Sequence, residues 1–240
     1  MKINKSILAV SILFALSTGP INAASVQSYI IDADNYIEKH DYRAAVIQLK
    51  NALQQAPDNI DARIRLGNLY IKLGDGPSAE KEFRRGRKHG AKPDDWMPGL
   101  ADAMLIQRKA NEVLSDFLIK SDMTPILKAD IYSRQAQANL LLRKDDEANV
   151  LFQKALNENP DHVFSLLADA RLDARAGKYK SAEVKIAKVI QLEPDNVIAL
   201  TFEAELLKQQ GELKLAQGKF DNVLKIRPGY ILAKIGRAHV

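Results

Sequence analysis

The sequence predicts an all-α fold, a right-handed solenoid of antiparallel helix pairs, from three observations that share one period. Ala45, Ala79, Ala148, Ala182 and Ala216 are spaced by 34, 69, 34 and 34 residues. Pro57, Pro160, Pro194 and Pro228 are spaced by 103, 34 and 34, and 103 is three periods plus one inserted residue. A small residue stands twelve positions before each alanine, at Ala33, Gly67, Ala136, Ala170 and Ala204. A fixed period of this length marks a stack of helical hairpins, each burying its apolar face against the next.

Each element follows from the same ruler. Two helices cross closely only where side chains are small, and larger residues a turn away fill the groove beside the contact. The small residues therefore mark the crossings, with Tyr36, Leu66, Tyr70 and Phe83 as filling. Proline lacks an amide hydrogen and disfavours helix in the residue before it, so each closing proline ends a second helix. The periods divide the chain into units 26–59, 60–93, 94–128, 129–162, 163–196 and 197–230. The unit 94–128 is degenerate, with Val113 where the alanine belongs and no closing proline. Gly74, Asp75, Gly76 and Pro77 read as a turn, with Pro77 opening a helix. Asp145, Asp146 and Glu147 read as caps and first-turn acids of the helix after them.

By this pattern residues 26 to 230 resemble the tetratricopeptide repeat (TPR) family. The stretch Arg43 to Tyr70, followed by GDGPSAEKEFRRG and GLADAMLIQ, more closely resembles the N-terminal region of the PrsT-like periplasmic repeat proteins of PEP-CTERM sorting and exopolysaccharide systems. That resemblance implies a longer solenoid without enzymatic activity, serving envelope assembly or polymer export. Members of that group are often lipoproteins, whereas this chain has no cysteine to carry a lipid.

The ends differ from the array. Residues 1–24 place Lys2 and Lys5 before the apolar run Ile7 to Leu16 and end in the small pair Ala23 and Ala24, as a secretory signal peptide does. The run is well short of the roughly 20 residues that span a bilayer, so no membrane span is expected after cleavage. Export to a periplasm follows, with association with the outer membrane left open. Residues 231–240 begin a further repeat, and the chain reads as the front part of a longer protein, either a scaffold throughout or a regulatory or enzymatic chain of which this is the N-terminal interaction module. The hexapeptide 235–240 is either a natural helix start or the translation of a sequencing adapter.

Composition excludes several functions. Zero cysteines remove disulfides, thiolate metal sites and thiol catalysis together. The net charge of +5 falls to +2 once Lys2, Lys5 and Arg237 are set aside, leaving 32 basic against 30 acidic residues, which removes the case for nucleic acid. His40, His89 and His162 lie too far apart for helical ligand spacing, and no phosphate loop or nucleophile elbow occurs. No cofactor, metal or enzymatic reaction is expected. One basic cluster remains, Lys81, Arg84, Arg85, Arg87, Lys88 and Lys92. It is either a solvated helix end that offsets the macrodipole or a patch for an anionic polysaccharide.

The remaining candidate is surface. The first helices of successive units should line a concave groove for protein or peptide partners. The ninth residue of each gives Asp34, Asn68, Asp102, Gln137, Arg171 and Glu205 as groove-lining candidates. Ile30, Ile64, Ile71, Leu105, Leu140 and Leu167 are expected as apolar patches between them.

Overall fold

The computed structural model describes residues 25–240, and the expected signal peptide lies outside them. Every regular element among the described residues is helical. Six helix pairs follow one another: α1 (Val26–Glu38) with α2 (Tyr42–Gln55), α3 (Ile60–Lys72) with α4 (Gly76–Lys88), and α5 (Pro93–Ile106) with α6 (Ala110–Asp116). Then come α7 (Pro125–Leu141) with α8 (Asp145–Glu158), α9 (Val163–Arg175) with α10 (Tyr179–Leu192), and α11 (Val197–Gln209) with α12 (Leu213–Ile226), before a last helix α13 (Ile231–Ala238). The two helices of each pair pack on each other, and each second helix packs on the first helix that follows it, so the core runs along the stack.

Local chemistry sets the helix ends. Asp41 and Asp75 accept the amides of Ala44 and Ser78 at the starts of α2 and α4, and Asn59 accepts that of Ala62 at α3. Pro57, Pro160, Pro194 and Pro228 each lie two residues past the end of a second helix. The acids Asp145, Asp146 and Glu147 fill the first turn of α8, but its N-cap is Lys144. Their contribution is therefore to the helix dipole and not to capping.

The turn inside each pair carries a further ruler. His40, Gly74, Arg108, Arg143, Gly177 and Gly211 all have positive φ, between 58° and 84°. They are spaced by 34 residues except for 35 between Arg108 and Arg143, which locates the inserted residue. This left-handed conformation ends the first helix and is free of steric cost only for glycine.

Packing within the stack trades size across the crossings. Phe83, fully buried on α4, lies between Gly67 of α3 and Gly99 of α5; a Cβ at Gly99 would stand 2.2 Å from its ring. Phe220 meets Gly236 in the same way, at 2.4 Å. In register with these pairs, Phe152 faces Ala168, whereas the smaller Leu49 and Ile186 precede Arg65 and Phe202. A phenylalanine on one second helix thus requires a small residue on the next first helix, and a smaller side chain leaves room for a large one.

The third pair departs from the rest. Its second helix, α6, has 7 residues where α2, α8, α10 and α12 have 14, and α7 has 17 where α9 and α11 have 13. The chain leaves α6 at the buried Phe117, whose carbonyl accepts from Gln135 Nε2 at 2.8 Å. Apolar content compensates for the lost helix. Trp96, Met97, Leu100, Met104, Val113 and Phe117 join Leu127 and Ile131 of α7 in one core cluster. Trp96 is 9% exposed, beneath the guanidinium of Arg87 at 4.8 Å from the ring centroid.

Candidate functional site

The six candidate positions occupy equivalent places on α1, α3, α5, α7, α9 and α11, and none is fully buried. What each meets is decided by the residue that faces it from the next first helix. Asp34 is taken by Arg65 Nη1 at 2.7 Å, and Arg65 Nε also holds Asp61 at 2.8 Å. Asp102 is taken in the same way by Arg134, through Nε at 3.0 Å and Nη2 at 2.9 Å, while Arg134 Nη1 holds Asp130 at 2.6 Å. Arg171 lies over the Phe202 ring at 5.9 Å. The facing residues for Asn68, Gln137 and Glu205 are Gly99, Ala168 and Gly236, which have no polar side chain to reach back.

The candidates therefore alternate between engaged and free, and packing is the cause. Arg65 and Phe202 follow Leu49 and Ile186, while Gly99, Ala168 and Gly236 follow Phe83, Phe152 and Phe220; Arg134 follows Phe117, which lies past the end of the shortened α6. Asn68 and Glu205 are exposed and Gln137 is half-buried.

The electrostatics of this face follow from the engaged pairs. Burial pushes the Asp102 carboxyl up, and Arg134 only partly offsets it. Burial also opposes ionisation of Asp130, but hydrogen bonds from His162 and Arg134 outweigh it and hold that carboxyl down. His162 accepts the Ser165 amide through Nδ1 at the start of α9, which leaves its Nε2–H to donate to Asp130 at 3.4 Å. Partial desolvation beside the recess raises Glu205, with Arg171 and Lys208 opposing.

Arg171 and Glu205 line one cavity of about 450 Å³ between α9 and α11, with Ala174, Arg175, Tyr179, Phe202 and Gln209 completing it. It brings two guanidiniums, one carboxylate and aromatic side chains into one open recess. The expected apolar patches are corrected by the structure. Ile30 and Leu167 are buried, and Ile64, Ile71, Leu105 and Leu140 pack half-buried against the core clusters. Apolar side chains on first helices are consumed by the contacts that hold the stack, so the face is predominantly polar.

The basic cluster on α4 is divided. Arg84 Nε bonds Glu80 at 2.8 Å, Arg87 covers Trp96, and Arg85 stands 3.7 Å from Glu82, while Lys81 and Lys88 are exposed. Lys92 is the N-cap residue of α5. Burial would raise the Glu80 carboxyl, but hydrogen bonds from Lys109, Arg84 and Gln107 outweigh it and hold it at about 2. The Gln107–Glu80 contact recurs as Gln210–Glu183 between α11 and α10, tying neighbouring pairs together. Among the described residues, no group of three or more His, Asp or Glu is placed to hold a metal ion, and no helix is long and apolar enough to cross a membrane.

Comparison with known proteins supports the repeat reading. Residues 36–96 match the family model described as tetratricopeptide repeat. No curated protein sequence matches the chain. Among solved structures, the chain is similar to the pilF protein of Pseudomonas aeruginosa, with 18% identity, a TM-score of 0.60 and coverage of 90% of this chain and 97% of that one. It is also similar to PilW, a widely conserved type IV pilus biogenesis factor, with 17% identity, a TM-score of 0.55 and coverage of 88% and 97%. A chain of the Cut9–Hcn1 hetero-tetramer of the APC/C has 13% identity and a TM-score of 0.66, with 90% of this chain covered and 42% of that one. At these identities the likeness is one of fold: an all-helical tetratricopeptide-type solenoid.

Proposed function

We propose that the chain is a non-enzymatic exported scaffold whose first-helix face holds protein or peptide partners. The observation that carries this reading is the alternation along that face. Asn68, Gln137 and Glu205 remain available at equivalent positions of every second unit, while the intervening Asp34 and Asp102 are fixed by arginines. Donors and acceptors repeated at a fixed spacing suit an extended peptide, whose own polar groups recur along its length. The recess of Arg171, Phe202 and Glu205 adds one site that takes a side chain with both an apolar body and a charged end.

The signal-like residues 1–24 and the resemblance of Arg43 to Tyr70 support a periplasmic setting, in envelope assembly, PEP-CTERM protein sorting or exopolysaccharide export. The test is in-cell photocrosslinking in the source bacterium, with the crosslinker at Asn68, Gln137 or Arg171, and at the outward-facing Val184 as control. Discrete adducts with envelope proteins at the three face positions and none at Val184 are expected. Adducts only at Val184, or at all four positions alike, overturn the assignment of the face.

A further inference from the structure

A second cavity, of about 470 Å³, opens between the second helices α2 and α4, with α3 as its floor. Lys50 of α2, Arg63 of α3, and Lys81 and Arg85 of α4 line it, and Glu82 is its one acid, so its lining carries a net charge of +3. Arg63 is the unusual member. The equivalent positions in the other units are Tyr29, Met97, Tyr132, Leu166 and Leu200, and of these Met97, Leu166 and Leu200 are core residues between 5% and 7% exposed. A guanidinium therefore occupies a place that every other unit fills with an uncharged, largely apolar side chain.

Its own partners do not account for it. Arg63 Nη1 donates to Glu82 at 2.6 Å and Nη2 donates to the Pro57 carbonyl, but the buried Nε–H has no partner. A buried ion pair contributes little to stability compared with apolar residues of similar size, and a buried unpaired donor subtracts from it. The ion pairs of the fifth and sixth hairpins, Lys185 with Asp169 and Lys219 with Glu203, use other positions of the first helix. Three more cations converge on the same cavity, and Lys81 stands where the other units have Ile47, Ser115, Val150, Val184 and Gly218. Both departures from the repeat pattern point into one polar recess.

We infer that this cavity is a binding site for a compact oxyanion, a phosphate or a carboxylate, held by Lys81 and Arg85 against the Arg63 guanidinium. Glu82 positions the guanidinium, whose remaining donor is closed to solvent and reaches the anion through a small turn of the planar head, as a charge-assisted hydrogen bond. The site faces away from the peptide-binding face and is independent of it.

The test is a titration of isotopically labelled protein with inorganic phosphate and, separately, with succinate, read at the Arg63 Nε–H resonance. Saturable movement with at least one of the two is expected, with a dissociation constant on the order of 1 mM, and the stronger of the two identifies the group. K81A/R85A, which leaves the Arg63–Glu82 pair intact, should weaken binding roughly tenfold or more through loss of two charge-assisted contacts. K178A/K180A removes the same charge from the start of α10 and should leave binding unchanged. No saturable movement with either anion overturns the inference. So does binding that survives K81A/R85A, or that both double variants lose alike. Arg63→Leu combined with Glu82→Leu, with leucines like those of the equivalent Leu166 and Leu151, should keep the helical signal while calorimetry records no anion heat.

Discussion

Gly99→Ala tests the trade of side-chain size that organises the array. The new Cβ would stand 2.2 Å from Phe83 Cζ and 2.6 Å from Cε1, whereas ordinary contact begins at 3.4 Å, so α5 and the ring must separate by about 1.2 Å. The ring has little room to retreat, because it already lies against the Gly67 backbone, so closely that a Cβ added there would stand 2.9 Å from it. Overpacking of this kind costs typically 1–3 kcal/mol, and replacing glycine inside a helix returns at most about 1 kcal/mol. A net loss of about 1–2 kcal/mol is expected in urea denaturation followed by far-ultraviolet circular dichroism. The second arm is Phe83→Ile, which copies Ile186. It should destabilise the wild type by leaving a cavity, yet be tolerated better in the Gly99→Ala background. A coupling energy above about 1 kcal/mol in the double-mutant cycle is the expected signature. Gly99→Ala at wild-type stability, or effects that add within about 0.5 kcal/mol, would refute the size argument.

Three further outcomes follow from the geometry. Arg143→Gly relieves a non-glycine residue at a φ of 62° and should raise stability by about 1 kcal/mol, while Gly177→Ala at a φ of 75° should lower it, both by denaturant titration. Arg134→Met leaves Asp102 and Asp130 facing each other without their shared cation and should cost about 3 kcal/mol, partly recovered by adding Asp102→Asn. For Glu80, the folded carboxyl titrates at about 2 against an ordinary 4.5, so its stabilisation is complete above the ordinary value and disappears as pH falls through the lower one. Glu80→Gln should therefore flatten the acid limb of stability between these values, and an unchanged limb would show that Glu80 does not carry it.

The fold was legible because the period is carried by residues with a steric reason to recur. Ala45, Ala79, Ala148, Ala182 and Ala216 are fully buried at helix crossings, where small side chains let the helices approach closely. The turn ruler was half hidden. Gly74, Gly177 and Gly211 declare a left-handed residue, whereas His40, Arg108 and Arg143 adopt the same conformation without announcing it. The short α6 had only weak signals, Val113 and the missing proline, since a helix that stops early leaves its apolar pattern in place. The ninth positions of the first helices could be read from spacing alone. Their division into engaged and free could not, because it depends on whether the residue across the stack is Phe83 or Leu49, a comparison between columns that a single ruler does not make. Arg63 was visible as the odd member of its column, but its unpartnered Nε–H emerges only from three dimensions.

The unit that departs most from the repeat pattern holds the largest apolar cluster, running from Ala79 through Phe117 to Ala138. Stability in a linear array is a sum of intrinsic terms and nearest-neighbour couplings, so the strongest couplings lie in its interior. Opening would then begin in hairpins away from this cluster, with amide exchange slowest around Leu100 and Met104. Sequence regularity and mechanical robustness are thus inversely distributed along these units: the well-spaced hairpins on either side are the compliant parts, and the irregular unit is the clamp from which they flex.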